Sequence, residues 1–125
     1  MNRILKTRTF QRWMRKTLLS DAILRTAIDE MQAGLIDADL GGGVFKKRIA
    51  VPGRGKRGGA RTIVATNQNN RWIFLYGFEK NERENIGRTE LVSLKYLADI
   101  LLHLAEPQLT RAIELGELIE VSDHE

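Results

Sequence analysis

Arg61-Thr62-Ile63-Val64-Ala65-Thr66, then Asn67-Gln68-Asn69-Asn70, then Trp72-Ile73-Phe74-Leu75-Tyr76-Gly77-Phe78 is the stretch on which the fold turns. A β-branched run, four turn formers and a second apolar run predict a β-hairpin. In the second strand Trp72, Phe74, Tyr76 and Phe78 fall on one side and Ile73 and Leu75 on the other. Two apolar faces suit a central strand of an antiparallel sheet, covered on both sides.

Working outward, Phe45 to Val51 reads as a further strand, entered through a flexible Leu40-Gly41-Gly42-Gly43. Residues 52–59 combine a proline with four glycines and predict a loop. Upstream, Arg3 to Thr7 has the thin alternation of a short strand. Phe10, Trp13, Met14 and Leu18 recur at helical spacing, and Ser20-Asp21 makes an N-cap for a second helix that Gly34 stops. Downstream, Leu91, Leu94, Leu97, Ala98, Leu101 and Ala105 form an apolar stripe on a helix that should pack on the sheet. Pro107 opens a last helix through Leu115, stopped by Gly116, before an acidic end at residues 117–125. The pattern predicts one α+β domain over 1–125, with 106–125 as an acidic C-terminal helix and tail.

At 125 residues the chain suits one compact core that removes roughly two-thirds of its unfolded surface from water. With 42% apolar and 29% charged residues it belongs with globular rather than disordered sequences. The absence of cysteine excludes disulfides, thiolate nucleophiles and thiolate metal sites. The start has no apolar run of the signal-peptide kind, and no segment approaches a membrane span, so a cytoplasmic protein is expected.

The formal charge of +4 conceals strong segregation. Residues 1–40 hold 7 basic and 5 acidic side chains, residues 41–78 hold 8 basic and none acidic, and residues 79–125 hold 5 basic and 11 acidic. A one-signed segment repels itself unless its potential meets a polyanion, so a nucleic-acid partner is expected.

Gly53, Gly55 and Gly58 have the spacing of a dinucleotide fingerprint, but a strand follows where a helix N-terminus is needed for a pyrophosphate. Lys56 is followed by Arg57 where an NTPase phosphate loop needs a hydroxyl, which excludes that motif as well. His103 and His124, with no histidine pair and no cysteine, do not make a zinc site. Neither a metal nor a cofactor is expected. Glu79, Glu82 and Glu84 read as surface carboxylates beside a helix start rather than as general bases.

The blocks Gly41-Gly42-Gly43 with Phe45-Lys46-Lys47-Arg48-Ile49-Ala50, then Pro52 to Ile63, then Phe74-Leu75-Tyr76-Gly77-Phe78-Glu79-Lys80-Asn81-Glu82, occur in an order that resembles the RelE/ParE superfamily of type II toxins, in its RelE-like and HigB-like branch. The resemblance runs from about Phe10 to Leu104. It implies a microbial-RNase-like fold, a twisted antiparallel sheet packed against N-terminal and C-terminal helices. It further implies metal-independent cleavage of mRNA on the ribosome through 2′-OH attack, which inhibits translation. The partner it implies is a cognate antitoxin, expected to be a helix-turn-helix protein, with a homodimer or a toxin–antitoxin heterocomplex both open. A membrane partner is not expected.

Matched block by block, the resemblance assigns catalysis to Lys56, Arg61, Tyr76 and Lys80. It assigns RNA binding to Lys46, Lys47, Arg48, Arg54, Arg57 and Arg71. Cations stabilise the pentavalent phosphate, and a lysine crowded by other cations is a better base, which leaves Lys56 and Lys80 both open for that role. Arg57 stands where relatives commonly carry serine and Ala60 where they commonly carry an aromatic residue. The only tyrosines are Tyr76 and Tyr96, so a C-terminal catalytic tyrosine has no counterpart. Two other classes remain open on the same scaffold: a non-catalytic nucleic-acid-binding or regulatory module, and a ParE-like inhibitor of DNA gyrase.

Overall fold

The computed structural model describes residues 3–53 and 55–122, with the backbone alone at 55–57. In chain order the elements are β1 (Arg3–Thr7), α1 (Arg8–Met14), α2 (Asp21–Gln32), β2 (Ala38–Gly41), β3 (Val44–Val51), β4 (Gly55–Thr66), β5 (Arg71–Glu79), α3 (Arg88–Leu102), α4 (Glu106–Glu114) and β6 (Leu118–Glu120). The strands form one six-stranded sheet in the order β2-β3-β4-β5-β1-β6. The fold is α+β, as the alternation and helical stripes predict. β5 is indeed central.

Three features differ from the sequence reading. The sheet is mostly antiparallel, yet β1 pairs with β5 in parallel, Ile4 opposite Trp72. The turn at Pro52 and Gly53 is short, and β4 starts at Gly55, paired with Val51. Glycine-rich backbone holds a strand there because β3 supplies the ladder partners, a tertiary constraint that local propensity does not contain. Leu40 and Gly41, expected as part of a flexible entry, end strand β2 (Ala38–Gly41), and part of the expected tail forms β6 against β1.

Each face of the sheet carries its own core. On one, Phe10, Leu24, Ile28 and Met31 from α1 and α2 pack against Phe45, Ile49, Val64, Trp72 and Phe74. On the other, Leu109, Ala98 and the leucine stripe of α3 pack against Leu5, Val44, Ile63, Ile73 and Leu75. The helices start where side chains satisfy free backbone donors. Thr7 Oγ1 accepts from Phe10 N–H at 3.1 Å and donates to the Leu75 carbonyl at 3.0 Å, which ties the start of α1 to β5. Ser20 Oγ accepts from Ile23 N–H at 3.3 Å, as its N-cap position predicts.

The register of β5 breaks once. Ile63 opposes Tyr76 and Val64 opposes Phe74, so Leu75 is an extra residue without a partner, a β-bulge. The extra residue shifts the phase of every side chain after it. Trp72 and Phe74 point to the α1–α2 core, whereas Tyr76 packs on the α3 side with Leu75. Their expected placement on one side of the strand is therefore overturned by the bulge.

Gly77 then falls on the α1 side directly beneath Trp13. A Cβ at this position would lie 2.3 Å from the Trp13 ring. Gly77→Ala should therefore lower stability by roughly 1–3 kcal/mol or more through overpacking. Chemical denaturation of the two proteins checks this. A second variant with Trp13→Leu should recover part of the loss.

Candidate functional site

Beyond the apolar residues beneath α3, the same face of the sheet continues into polar side chains. Strand alternation places Lys46 and Arg48 of β3 on it, in phase with Val44, and Arg61 of β4, in phase with Ile63. Arg48 and Arg61 are directly opposed, a pairing that brings Cβ atoms to roughly 4.5–5.5 Å. Like charges so placed raise the local positive potential, part of which Asp37 offsets at Arg48. Phe78 opposes Arg61 on the next strand, and Tyr76 opposes Ile63. Arg61 is 6% exposed, so it works from within the sheet, whereas Arg48 reaches solvent.

The bulge puts Tyr76 at the edge of this cationic patch, where it meets a residue outside the sequence-based set. Arg83 Nη1 donates to the Tyr76 hydroxyl at 3.3 Å, and its guanidinium lies 5.6 Å from the centre of the Phe78 ring. Glu90, in the first turn of α3, receives the same guanidinium in a bidentate pair, with Nη1 to Oε2 at 3.0 Å and a second, shorter bond from Nη2 to Oε1. Glu90 Oε1 also accepts from Gly87 N–H at 2.8 Å, closing the start of α3. Tyr76 thus accepts a hydrogen bond from Arg83 through its hydroxyl.

Charge pairing favours the ionised form of both groups at this corner. The hydrogen bond to Glu90 raises the Arg83 pKa above its ordinary value, and hydrogen bonds from Arg83 and from the Gly87 amide hold the Glu90 carboxyl below its own.

Two expected RNA-binding residues are structural. Lys47 is on the α2 side of β3 and 2% exposed; its Nζ donates to the Leu35 carbonyl at 2.9 Å and pairs with Glu30 at 2.8 Å. Arg71 is buried at the end of α3, donating to the carbonyls of Leu101 and Leu104 at 3.0 and 2.9 Å and pairing with Glu106 at 2.9 Å. There it caps the helix C-terminus, a favourable place for a cation. Their charges had no acidic neighbour in sequence, but the fold supplies carboxylates from outside the segment. Arg48 likewise faces Asp37, with Nε 3.7 Å from Oδ1. The basic segment is thus partly neutralised rather than wholly presented.

The structure therefore brings together Lys46, Arg48, Arg61 and Tyr76. Lys80 is exposed in the turn that follows β5, its N–H donating to the Gly59 carbonyl at 3.2 Å. Lys56 and Arg57 lie on β4, their side chains outside the described residues, as is Arg54. Trp72, Phe74 and Phe78 are buried and offer no stacking surface. Glu82 accepts from Glu79 N–H at 2.8 Å, a turn contact in keeping with a surface carboxylate. Arg83 and Glu90 were missed, although Glu90 three residues after Gly87 was a readable capping signal. Among the described residues no three or more His, Asp or Glu side chains gather as a metal site, and no helix is long and apolar enough to cross a membrane.

A small α+β domain with a cationic sheet face beside a tyrosine is the class these features define. The family model described as "RelE toxin of RelE / RelB toxin-antitoxin system" matches residues 2–121, and the chain belongs to that family. It is a toxin of a toxin–antitoxin system, and its family implies a cognate antitoxin as partner. A search of curated proteins found no match.

Because Glu90 is held below the ordinary glutamate range of about 4.3, the stability its pair contributes is present above that range and is lost only as pH falls through the lowered value. A carbon-detected NMR titration should find the Glu90 midpoint below that of free glutamate. Arg83→Gln should move it upward.

Proposed function

We propose that this toxin cleaves messenger RNA positioned by the ribosome, without a metal, by attack of the ribose 2′-hydroxyl on the adjacent phosphate. The observation that carries the reading is the direct opposition of Arg48 and Arg61 on the sheet face that Tyr76 borders. In this reaction the 2′-oxygen loses a proton as it bonds to phosphorus, the P–O5′ bond breaks, and the 5′-oxygen takes up a proton. Charge accumulates on the phosphate oxygens in between. Arg48 and Lys46 contact the phosphate, and Arg61 raises the potential from within the sheet. Tyr76, fixed by Arg83, donates a hydrogen bond to the phosphate or to the departing oxygen. Lys56 and Lys80 are the two groups proposed for the base, and Arg54 and Arg57 are proposed as further RNA contacts.

A site with one fixed phenol and several arginines is better at stabilising charge than at moving protons. Substrate orientation by the ribosome then supplies the rest of the rate, and activity on naked RNA is weak. The site lies in the cytoplasm on this reading, where translating ribosomes are.

Induced expression followed by 5′-end mapping of cellular mRNA tests the proposal. Cuts within translated frames are expected. Arg48→Gln should reduce them by about 10²-fold, as loss of a donor to a developing oxyanion does. Tyr76→Phe should reduce them by about 10-fold or more, with circular dichroism unchanged. Intact messages with accumulating DNA breaks, or salt-dependent RNA binding without cuts, would overturn it in favour of a gyrase inhibitor or a binding module.

A further inference from the structure

Arg48 is the exposed member of the Arg48–Arg61 pair, and the segment that leads from α2 into β2 runs past it. α2 ends at Gln32, and Gly34 turns the chain with a φ of +95° that favours glycine. Contacts on both sides then fix the path. Leu35 N–H donates to the Glu30 carbonyl at 2.9 Å, and the Leu35 carbonyl accepts from Lys47 Nζ at 2.9 Å. Ile36 packs against the α1–α2 core, and Asp37 N–H donates to the Lys46 carbonyl at 3.1 Å. Asp37 is thus tied to β3 through its own backbone.

Its side chain is tied there as well. β2 begins at Ala38, opposite Lys46, so no residue of β2 stands opposite Arg48. The Arg48 N–H at this edge is taken instead by Asp37, whose Oδ2 accepts it at 2.6 Å, while Oδ1 lies 3.7 Å from Arg48 Nε. One carboxylate therefore meets both the backbone amide and the guanidinium of a single residue. The contact is at Nε, the nitrogen nearest the stem, which turns the two terminal nitrogens toward an incoming phosphate. The Arg48 side chain is 50% exposed, and a long side chain in water samples many rotamers unless something holds it. The same negative charge also subtracts from the potential of the Arg48–Arg61 pair, so it opposes RNA binding while it orders the arginine.

We propose that Asp37 is a positioning residue for RNA cleavage, holding Arg48 in the geometry that meets the scissile phosphate and weakening RNA affinity as it does so. The role rests on the cleavage reading, because it acts through Arg48. Removing the charge should move binding and cutting in opposite directions. An unheld Arg48 attracts the RNA backbone more strongly, yet fewer of its conformations match the transition state. A carboxylate that only shaped the β3 edge would instead change stability and leave binding and cutting in step.

The test uses the full chain in excess over ribosomes programmed with a message, read as the maximal cutting rate and the half-saturating toxin concentration. Fluorescence anisotropy on a short RNA with 2′-O-methyl riboses reads binding alone. Asp37→Asn keeps an oxygen for the Arg48 N–H and removes the charge. Its maximal cutting rate should fall by about 10-fold or more. Its affinity for the methylated RNA should rise about two- to fivefold, as befits the loss of one partly exposed charge. Asp37→Glu, which returns the charge, should cut faster than Asp37→Asn. The double variant Arg48→Gln/Asp37→Asn should cut no more slowly than Arg48→Gln alone, since Asp37 has nothing left to hold. Cutting by Asp37→Asn at the parent rate, binding and cutting that fall together, or an additive loss in the double variant would each overturn the proposal. Loss of folding in Asp37→Asn, seen by circular dichroism, would overturn it too by assigning Asp37 to the framework. A parent that leaves the message intact overturns the cleavage reading itself, whereas a parent and an Asp37→Asn variant that cut equally overturn this inference alone.

Discussion

One extra residue in β5 decides which side chains share a face. Without the unpaired Leu75, Tyr76 and Phe78 would continue the phase of Trp72 and Phe74 and point toward α1 and α2. With it, the strand completes one core with its first half and faces Arg48 and Arg61 with its second. Gly77 is the counterpart on the other side, since only a residue without a Cβ leaves room for the Trp13 ring just past the bulge. The core and the site are therefore two consequences of one irregularity. α1 is held to that strand through Thr7, which bonds the carbonyl of Leu75 itself.

Charge is divided by the same geometry. Odd-numbered Lys47 points to the α2 side and finds Glu30, while even-numbered Lys46 and Arg48 point to the open face. Arg71 starts β5 before the bulge and reaches the end of α3, where three backbone carbonyls and Glu106 receive it. Removing such a buried cation leaves those acceptors unsatisfied, which makes it costly to replace and unsuited to a ligand. What remains on the open face is a compact set of basic side chains at one end of the sheet rather than a whole basic segment.

Much of this was legible in the sequence. The hairpin from Arg61 to Phe78, the Ser20 cap, the Gly34 and Gly116 stops and the leucine stripe of α3 each carry a local cause, and each stands where its cause put it. The bulge carries none, because a slip in register depends on the neighbouring strand. Leu40 and Gly41 of β2 and the glycine-rich start of β4 were read as irregular for the same reason: their order comes from β3. The motif blocks named residues of β3, β4 and β5 that the sheet brings side by side, but a linear count of charges could not tell Lys47 from Lys46. Arg83 was overlooked because its role arises from contact with Tyr76, Phe78 and Glu90, which the loop after β5 brings about.

Family membership supplies the toxin and its antitoxin, and RNA contact at the sheet face is the proposal that rests on it. The most direct measurement is an amide and side-chain NMR titration of the protein with a short RNA whose 2′-hydroxyls are methylated, so that contact occurs without cleavage. The account expects perturbations at Lys46, Arg48, Tyr76 and Arg83 that fade as salt is raised. Perturbations gathered on the α1–α2 side, around Lys47 and Glu30, with that face silent, would contradict it.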